Sequence, residues 1–291
     1  MKPLGLIALL CLAMASCKKE ILVEPAARSS TPGTELSVSG TGENGNRMLG
    51  NPSGAVASTA YPNNYLMDKA YYSLSYSRDR GTPNWVSWHL DKGDLGTAPR
   101  QDDFRADNTL PAGWYQVQSS SYTGSGFDRG HNCPSADRTS TVAANSATFL
   151  MTNMVPQAPN NNQRTWAALE TYERDLVNAG NEVYIICGAY GTGGTGSNGG
   201  VTNTLDNGHV TVPARIWKVI VVLPQGSNDL GRITTSTRVI AVNTPNTNSL
   251  STDWKTYRTS VDAIESATGY NLLSNVSSSI QGVIEARVDN Q

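Results

Sequence analysis

Residues 127–139 read Phe-Asp-Arg-Gly-His-Asn-Cys-Pro-Ser-Ala-Asp-Arg-Thr, and within them Asp128-Arg129-Gly130-His131 sets one of only three histidines beside an arginine, a carboxylate and a glycine. A neutral imidazole takes up a proton near physiological pH, and a neighbouring guanidinium holds an oxyanion. Arg129 and His131 together therefore suit attack on an anionic ester. Gly130 between them predicts a tight backbone bend. The plain alternative is a hydrogen-bonded loop histidine beside a surface cation.

The next informative segment lies downstream. Asn153-Met154-Val155-Pro156-Gln157 leads through Asn160-Asn161-Asn162-Gln163 into a predicted helix over 163–179, closed by Gly180-Asn181. Trp166, Leu169, Leu176 and Val177 form its apolar stripe, and Trp166, Glu170 and Arg174 follow Asn162 at steps of four. Each step advances about 40° around a helix, so Asn162, Glu170 and Arg174 can face one cleft. An asparagine oxygen is a hard neutral ligand suited to Mg²⁺, which keeps most of its waters. Glu170 is placed to hold one of those waters, and Arg174 to pair with Glu170 or reach a phosphate. Taken singly, Asn162 also reads as a helix N-cap, and Glu170 with Arg174 as an ordinary exposed pair.

Around these segments the pattern is mainly strand. Tyr72–Tyr76 alternates apolar and polar, a turn-rich stretch follows, and Trp85–Leu90 alternates again, a hairpin signature that puts Val86, Trp88 and Leu90 on one face. Further strands are expected at Thr148–Met151, Glu182–Cys187 and Ile216–Leu223, the last with the near-continuous Val/Ile run of a central strand. The glycine-rich 191–200 reads as a mobile loop. It lacks the Lys-Ser/Thr ending of a phosphate-binding loop, so it takes no phosphate role. A second helix is expected over 252–268, with Trp254, Tyr257, Val261 and Ile264 on one face and Gly269 at its end. Strands and helices without regular alternation predict an α+β fold with a largely antiparallel sheet.

The amino terminus has its own logic. Lys2, an apolar run from Leu4 to Met14, and Met14-Ala15-Ser16-Cys17 before Lys18-Lys19-Glu20 read as a bacterial lipoprotein signal, residues 1–17, with Cys17 the lipidated residue. The apolar run is too short to span a bilayer, and no other stretch approaches the roughly 20 residues needed. An ordinary cleaved signal is the alternative. On the lipoprotein reading the chain is exported and held on the outer membrane through lipid alone, at its periplasmic or surface face. Residues 18–60, rich in Ser, Thr, Gly, Asn and Pro, are expected as a disordered tether; ~40 such residues span ~35 Å. Residues 61–291 form a single domain.

Of four cysteines, Cys11 lies in the signal and Cys17 carries the lipid, leaving Cys133 and Cys187. An oxidising compartment favours one disulfide between them, with two buried thiols as the alternative. A formal net charge of −2 excludes binding nucleic acid through a broad basic surface, because such binding scales with the phosphates neutralised. A compact arginine cluster stays compatible with it. His89, on a predicted strand without a carboxylate cluster, and His209, in a polar turn, are read as structural.

Together the two site segments resemble the DNA/RNA non-specific endonucleases of the ββα-metal type, whose motif is Asp-Arg-Gly-His followed by Asn-Gln, a Trp and Leu-Glu. Here these are Asp128–His131, Asn162-Gln163, Trp166 and Leu169-Glu170, with Arg174 in the later arginine position. The likeness extends through Pro83–Val86, Ser135–Arg138, Asn153–Gln157, Trp217-Lys218-Val219 and Asp253-Trp254 to Thr268-Gly269-Tyr270. The resemblance implies the ββα-metal endonuclease fold, a central largely antiparallel sheet flanked by helices. It also implies an Mg²⁺-dependent endonuclease acting on DNA and RNA to leave 5′-phosphates, with Mn²⁺ as an alternative ion.

In that reading His131 is the general base and Asn162 the one direct protein ligand of the ion. Glu170 acts on the ion's water shell, and Arg129 and Arg174 lie near substrate phosphate. Asp128 orients the loop or a neighbouring cation, while Asp137 and Arg138 close a structural ion pair. A further phosphate-binding arginine upstream of the motif is Arg100 or Arg105, between which spacing does not choose. Arg164 departs from the glycine common after Asn-Gln. An unshifted His131 would lose activity below about pH 6.5. The competing readings are a metal-dependent phosphodiesterase for small or other diesters, and a non-catalytic lipoprotein that binds nucleic acid or a partner.

Overall fold

The computed structural model, which describes residue 1 and residues 42–291, contains eleven strands and five helices among those residues. The signal and Cys17 lie outside the described residues, as does the tether up to residue 41. In chain order the strands are β1 (Tyr65–Asp68), β2 (Ser73–Ser77), β3 (Thr82–Leu90), β4 (Asp128–His131), β5 (Met154–Gln157) and β6 (Asn181–Tyr190). They continue as β7 (Thr204–Leu205), β8 (Val210–Thr211), β9 (Arg215–Pro224), β10 (Arg238–Pro245) and β11 (Arg258–Thr259). The helices are α1 (Val142–Ala147), α2 (Ala167–Asn178), α3 (Asp229–Arg232), α4 (Val261–Thr268) and α5 (Ser278–Ile284).

Seven strands form one sheet in the order β1-β2-β3-β6-β9-β10-β11, with every neighbouring pair antiparallel. The β2–β3 hairpin is the one the alternation predicts. Successive side chains of a strand point to opposite faces, and here both faces are covered. Val86, Trp88 and Leu90 share a cluster with Trp166, Leu169 and Val177, whereas Trp85 belongs to a second cluster with Val261, Ile264 and Leu272. β9, with its Val/Ile run, sits between β6 and β10 and is buried on both sides.

The mapping to sequence breaks where tertiary contacts override local pattern. Residues 42–60 are folded from residue 42 on, not a tether. Met48, Leu49 and Ala55 are buried in the second cluster, and Leu49 O and Met48 O accept bonds of 2.9 Å from Asn275. A few apolar side chains in a polar stretch suffice when they fill space against the sheet. Thr148–Met151 is not a strand. Thr148 ends α1, Leu150 makes one bridge to Arg105, Phe149 is buried from a turn, and Met151 is buried at the start of a short 3₁₀ turn.

The expected helix over 252–268 divides into a tight turn at Trp254–Tyr257, then β11, then α4. Trp254 joins the first cluster and Val261 and Ile264 the second, so the chain passes the sheet edge through β11 and a single helix could not serve both faces. α2 keeps its predicted end, with Gly180 at φ 95° and Asn181 Nδ2 donating to Leu176 O at 2.9 Å. The glycine-rich loop is pinned, Ser197 N donating to Gly126 O and Thr195 N to Asn246 O, each at 2.9 Å. No helix among the described residues is long and apolar enough to cross a membrane.

Candidate active site

β4 pairs antiparallel with β5, and α2 follows β5 through one wide helical turn over Asn161–Trp166, giving a ββα unit against the sheet. The wide turn decides which asparagine faces outward. Asn160 is tied to Asn248, and Asn161 Nδ2 donates to Thr244 Oγ1 at 3.0 Å. Asn162 is left for the cleft. Its side chain caps no helix end. Instead Asn162 Nδ2 and Gln163 Nε2 both donate to Asp128 Oδ2 at 2.8 Å. Only the NH₂ group of an amide can donate to a carboxylate, so Asp128 fixes which way the Asn162 amide points. Asn162 Oδ1 accepts no hydrogen bond among the described residues, the state required of a ligand oxygen. Asp128 thus orients two amides, not a cation.

His131 ends β4 opposite Met154. Its ring lies edge-on to Phe149, with centroids 5.0 Å apart, and tilted on Phe104 at 5.4 Å. Nε2 is shut off from solvent and has no hydrogen-bond partner among the described residues. Burial first, and then the charges of Arg100 and Arg129, push the His131 imidazole down to about 3. It therefore stays neutral well below the ordinary histidine value near 6.5, contrary to the unshifted titration expected from sequence. Gly130 lies in extended strand, not a bend, and its lack of a side chain serves close approach: an added Cβ would lie 2.3 Å from Gln157 Oε1 and 2.6 Å from Gln157 Cβ.

A cleft of about 350 Å³ is lined by Arg100, Phe104, Asp128, Arg129, Asn162 and Gln163, among others, and the His131 ring packs against Phe104. Arg129 stacks over Phe104 at 4.3 Å. Arg100 stacks over Phe149 at 4.9 Å and donates to Ser135 Oγ at 2.8 Å. Arg105 does not join them. It bonds Asp103 at 2.8 Å and Ser146 O at 2.9 Å, so the structure separates the two arginines that spacing left equal. Arg164 is exposed.

Behind the cleft the charges pair differently from the sequence reading. Arg174 meets Asp137, not Glu170, at 2.9 Å, and Asp137 also accepts from Trp88 Nε1. The expected Asp137–Arg138 ion pair is replaced by Arg138 on Asp94 at 3.3 Å and on the carbonyls of Tyr71 and His89. Lys218, fully buried on β9, reaches Glu173 at 3.0 Å and Glu170 at 4.0 Å. Its ammonium stands over the rings of Trp166 and Trp88. Although burial lowers it, Glu173 and Glu170 hold that ammonium above its usual value. Burial pushes the Glu170 carboxyl up to about 7, against the pull of Lys218, Arg174 and Arg100. Lys218, Glu173 and the Phe104–Phe149 pair were not picked from sequence, since a lone lysine in a Val/Ile strand gives no partner to look for.

The cysteines are corrected too. Cys133 and Cys187 are free and buried, and Cys187 Sγ donates to Asn132 Oδ1 at 3.3 Å. Burial pushes both thiols up, Cys187 to about 12. The loop after His131 is braced instead by Asn153, whose side chain bonds Cys133 N and O and Thr148 O at 2.8–3.0 Å. His89 does meet carboxylates, with Glu182 at 2.9 Å and Asp229 close by, while His209 stacks on Tyr115 at 3.8 Å.

Comparison with known proteins bears on the family and the fold. The sequence pattern described as DNA/RNA non-specific endonuclease matches residues 49–279. A nuclease of Nostoc sp. (strain PCC 7120 / SAG 25.82 / UTEX 2576) is 54% identical over 243 residues, 84% of this chain and 85% of that protein. Nuclease C1 of Cunninghamella echinulata var. echinulata is 31% identical over 226 residues, 75% of this chain and 86% of its own. The crystal structure of the EndoG/EndoGI complex contains a chain that superposes with a TM-score of 0.65 at 23% identity, covering 80% of this chain and 91% of that one.

Proposed function

The chain belongs to the DNA/RNA non-specific endonuclease family, and we propose that it cuts DNA and RNA by metal-assisted hydrolysis to leave 5′-phosphates. The observation that carries the reading is the Asp128 carboxylate, which turns the Asn162 amide so that its oxygen accepts no hydrogen bond among the described residues, in a cleft shared with Arg100 and Arg129. His131 takes the proton from the attacking water. With Nε2 buried, Nδ1 is the nitrogen left for that transfer. Arg129 and Arg100 hold the phosphate by charge-assisted hydrogen bonds. Arg174 supports Glu170 from its place on Asp137 and leaves phosphate to the other two.

The residues fit a hydrated Mg²⁺, which takes few protein ligands: one free amide oxygen at Asn162 and a carboxylate at Glu170 for its water shell. When bound, the ion neutralises charge on the phosphate and the leaving 3′-oxygen, while Mn²⁺ meets the same oxygen set. General-base help typically supplies roughly 10²- to 10⁴-fold, so charge stabilisation and positioning account for the larger share. Contacts confined to phosphate and sugar carry no base sequence, in keeping with a non-specific enzyme.

The test is degradation of plasmid DNA, RNA and a small diester in parallel, with and without EDTA, by the parent, His131→Ala and Asn162→Ala. Cutting of both nucleic acids that is lost in EDTA and in both variants is expected. Undiminished cutting by His131→Ala would sink the assignment of the base, and cutting of the small diester alone would make the enzyme a different phosphodiesterase. We further propose that Cys17 is lipidated and the protein exported to the outer membrane, on the strength of Met14-Ala15-Ser16-Cys17. Metabolic labelling with a fatty acid, lost in Cys17→Ser, is the corresponding check.

A further inference from the structure

Across the sheet from the nuclease cleft, three carboxylates converge without a cation. Asp262 and Glu265 lie three residues apart on α4, whose Val261 and Ile264 belong to the cluster opposite that of α2. Glu285 follows α5 directly, and its backbone oxygen accepts from Asp262 N at 3.1 Å, which clamps the end of α5 to the start of α4. One ligand oxygen from each of the three residues lies within 4.8 Å of the others. The Glu285 residue is only 6% exposed, and its Oε1 is buried with no hydrogen-bond partner among the described residues. Its carboxylate forms no ion pair among the described residues, and neither do those of Asp262 and Glu265. Leu272 N donates to Glu265 Oε1 at 2.7 Å, which holds that side chain in place.

A buried acid without a counter-charge is costly, so the cluster calls for either a proton or a cation. Burial and then the charges of Glu265 and Asp262 push the Glu285 carboxyl up to about 7, the expected response of acids crowded without a cation. The other histidine-and-acid cluster differs on this point. There Arg232 already bonds both Glu182 and Asp229, so the negative charge is met within the chain.

We infer that Asp262, Glu265 and Glu285 form a structural Ca²⁺ site that ties α5 to α4. Two oxygens each 2.3–2.6 Å from one ion can be at most about 5 Å apart, so the spacing suits a single bound ion. Ca²⁺ accepts several carboxylates in a loose shell and completes it with water on the exposed Asp262 side. Mg²⁺ takes one or two carboxylates in a stricter octahedron and suits this set less well. The site is independent of the nuclease reading.

The experiment measures the thermal unfolding midpoint of the purified protein, stripped with EDTA and then titrated with Ca²⁺. It uses the parent, Asn162→Ala, Glu285→Gln and Asp262→Asn. Asn162→Ala separates any binding at the nuclease cleft. At a Ca²⁺ concentration about a hundredfold above Kd, linkage gives a rise of about 5 °C or more for a chain of this size. The parent and Asn162→Ala should show that rise; Glu285→Gln and Asp262→Asn should not. In EDTA, Glu285→Gln should melt no lower than the parent, because it removes an uncompensated charge, and it should keep full nuclease activity. An equal Ca²⁺ response in Glu285→Gln would overturn the site. So would no response in the parent and Asn162→Ala, which would mean that the acids share a proton.

Discussion

Replacing Asp128 with alanine removes the acceptor of two hydrogen bonds, from Asn162 Nδ2 and Gln163 Nε2, both 2.8 Å long and ending on the same oxygen. A hydrogen bond to a charged group contributes about 1.5–3 kcal/mol. If the bond from Asn162 is what keeps its amide oxygen toward the cleft, losing it lets the amide rotate at that cost, a factor of about 10–100 in occupancy of the ligating orientation. Loss of partners that orient a metal ligand elsewhere costs a similar 10- to 100-fold. Initial rates of DNA cleavage against free Mg²⁺ should therefore give Asp128→Ala a half-saturating concentration about 10- to 100-fold above the parent, with much of the rate recovered at high metal. Asp128→Asn, which still offers an oxygen acceptor, should fall between them. Asn162→Ala should not recover at any concentration. A parent-like metal requirement in Asp128→Ala, with the rate lost at saturation, would refute the orienting role and point to Asp128 acting on substrate.

Arg100→Ala should raise KM for a short oligonucleotide by about tenfold or more, as loss of a charge-assisted phosphate contact does, and Arg105→Ala should change it less than about threefold; steady-state kinetics on the two variants decides this. His131 is held neutral in the fold, so its stabilising contribution is complete above about pH 6.5 and is lost as pH falls through that value toward about 3. Between pH 7 and 5 the metal-free parent should lose at most about 2 kcal/mol more than His131→Gln in denaturant unfolding, and parallel profiles would count against the buried neutral imidazole. Because Cys133 and Cys187 are free, dithiothreitol should leave the melting temperature unchanged, and both thiols should alkylate only after unfolding. Mass spectrometry of the non-reduced protein would expose a bridge as a loss of two hydrogen atoms.

The parts of the fold that were legible are those in which neighbours along the chain decide. Alternation placed the β2–β3 hairpin and the faces of Val86, Trp88 and Leu90. The Val/Ile run placed β9 inside the sheet, and Gly180-Asn181 ended α2. At the site, ordered motifs named Arg129 and Asn162, which line one cleft, and His131, which packs against Phe104 in its wall, although thirty residues separate His131 from Asn162 along the chain. Where pattern failed, a distant partner had overridden it. Met48 and Leu49 fold against the sheet from a stretch that looked like tether, and β11 carries the chain around the sheet edge inside what looked like one helix.

Amino-acid order alone was enough to point to the family, the α+β class and the candidate site residues, because periodicity and motif order are properties of the chain. The folded protein decided how those residues are charged and paired. Arg174 takes Asp137, Lys218 takes Glu173, Arg100 and not Arg105 lines the cleft, and Cys133 and Cys187 are buried without a bridge between them. His131 is neutral because Phe104, Phe149 and two arginines surround it. Desolvation and Coulomb energies depend on distance through space, and no spacing along the chain records that distance.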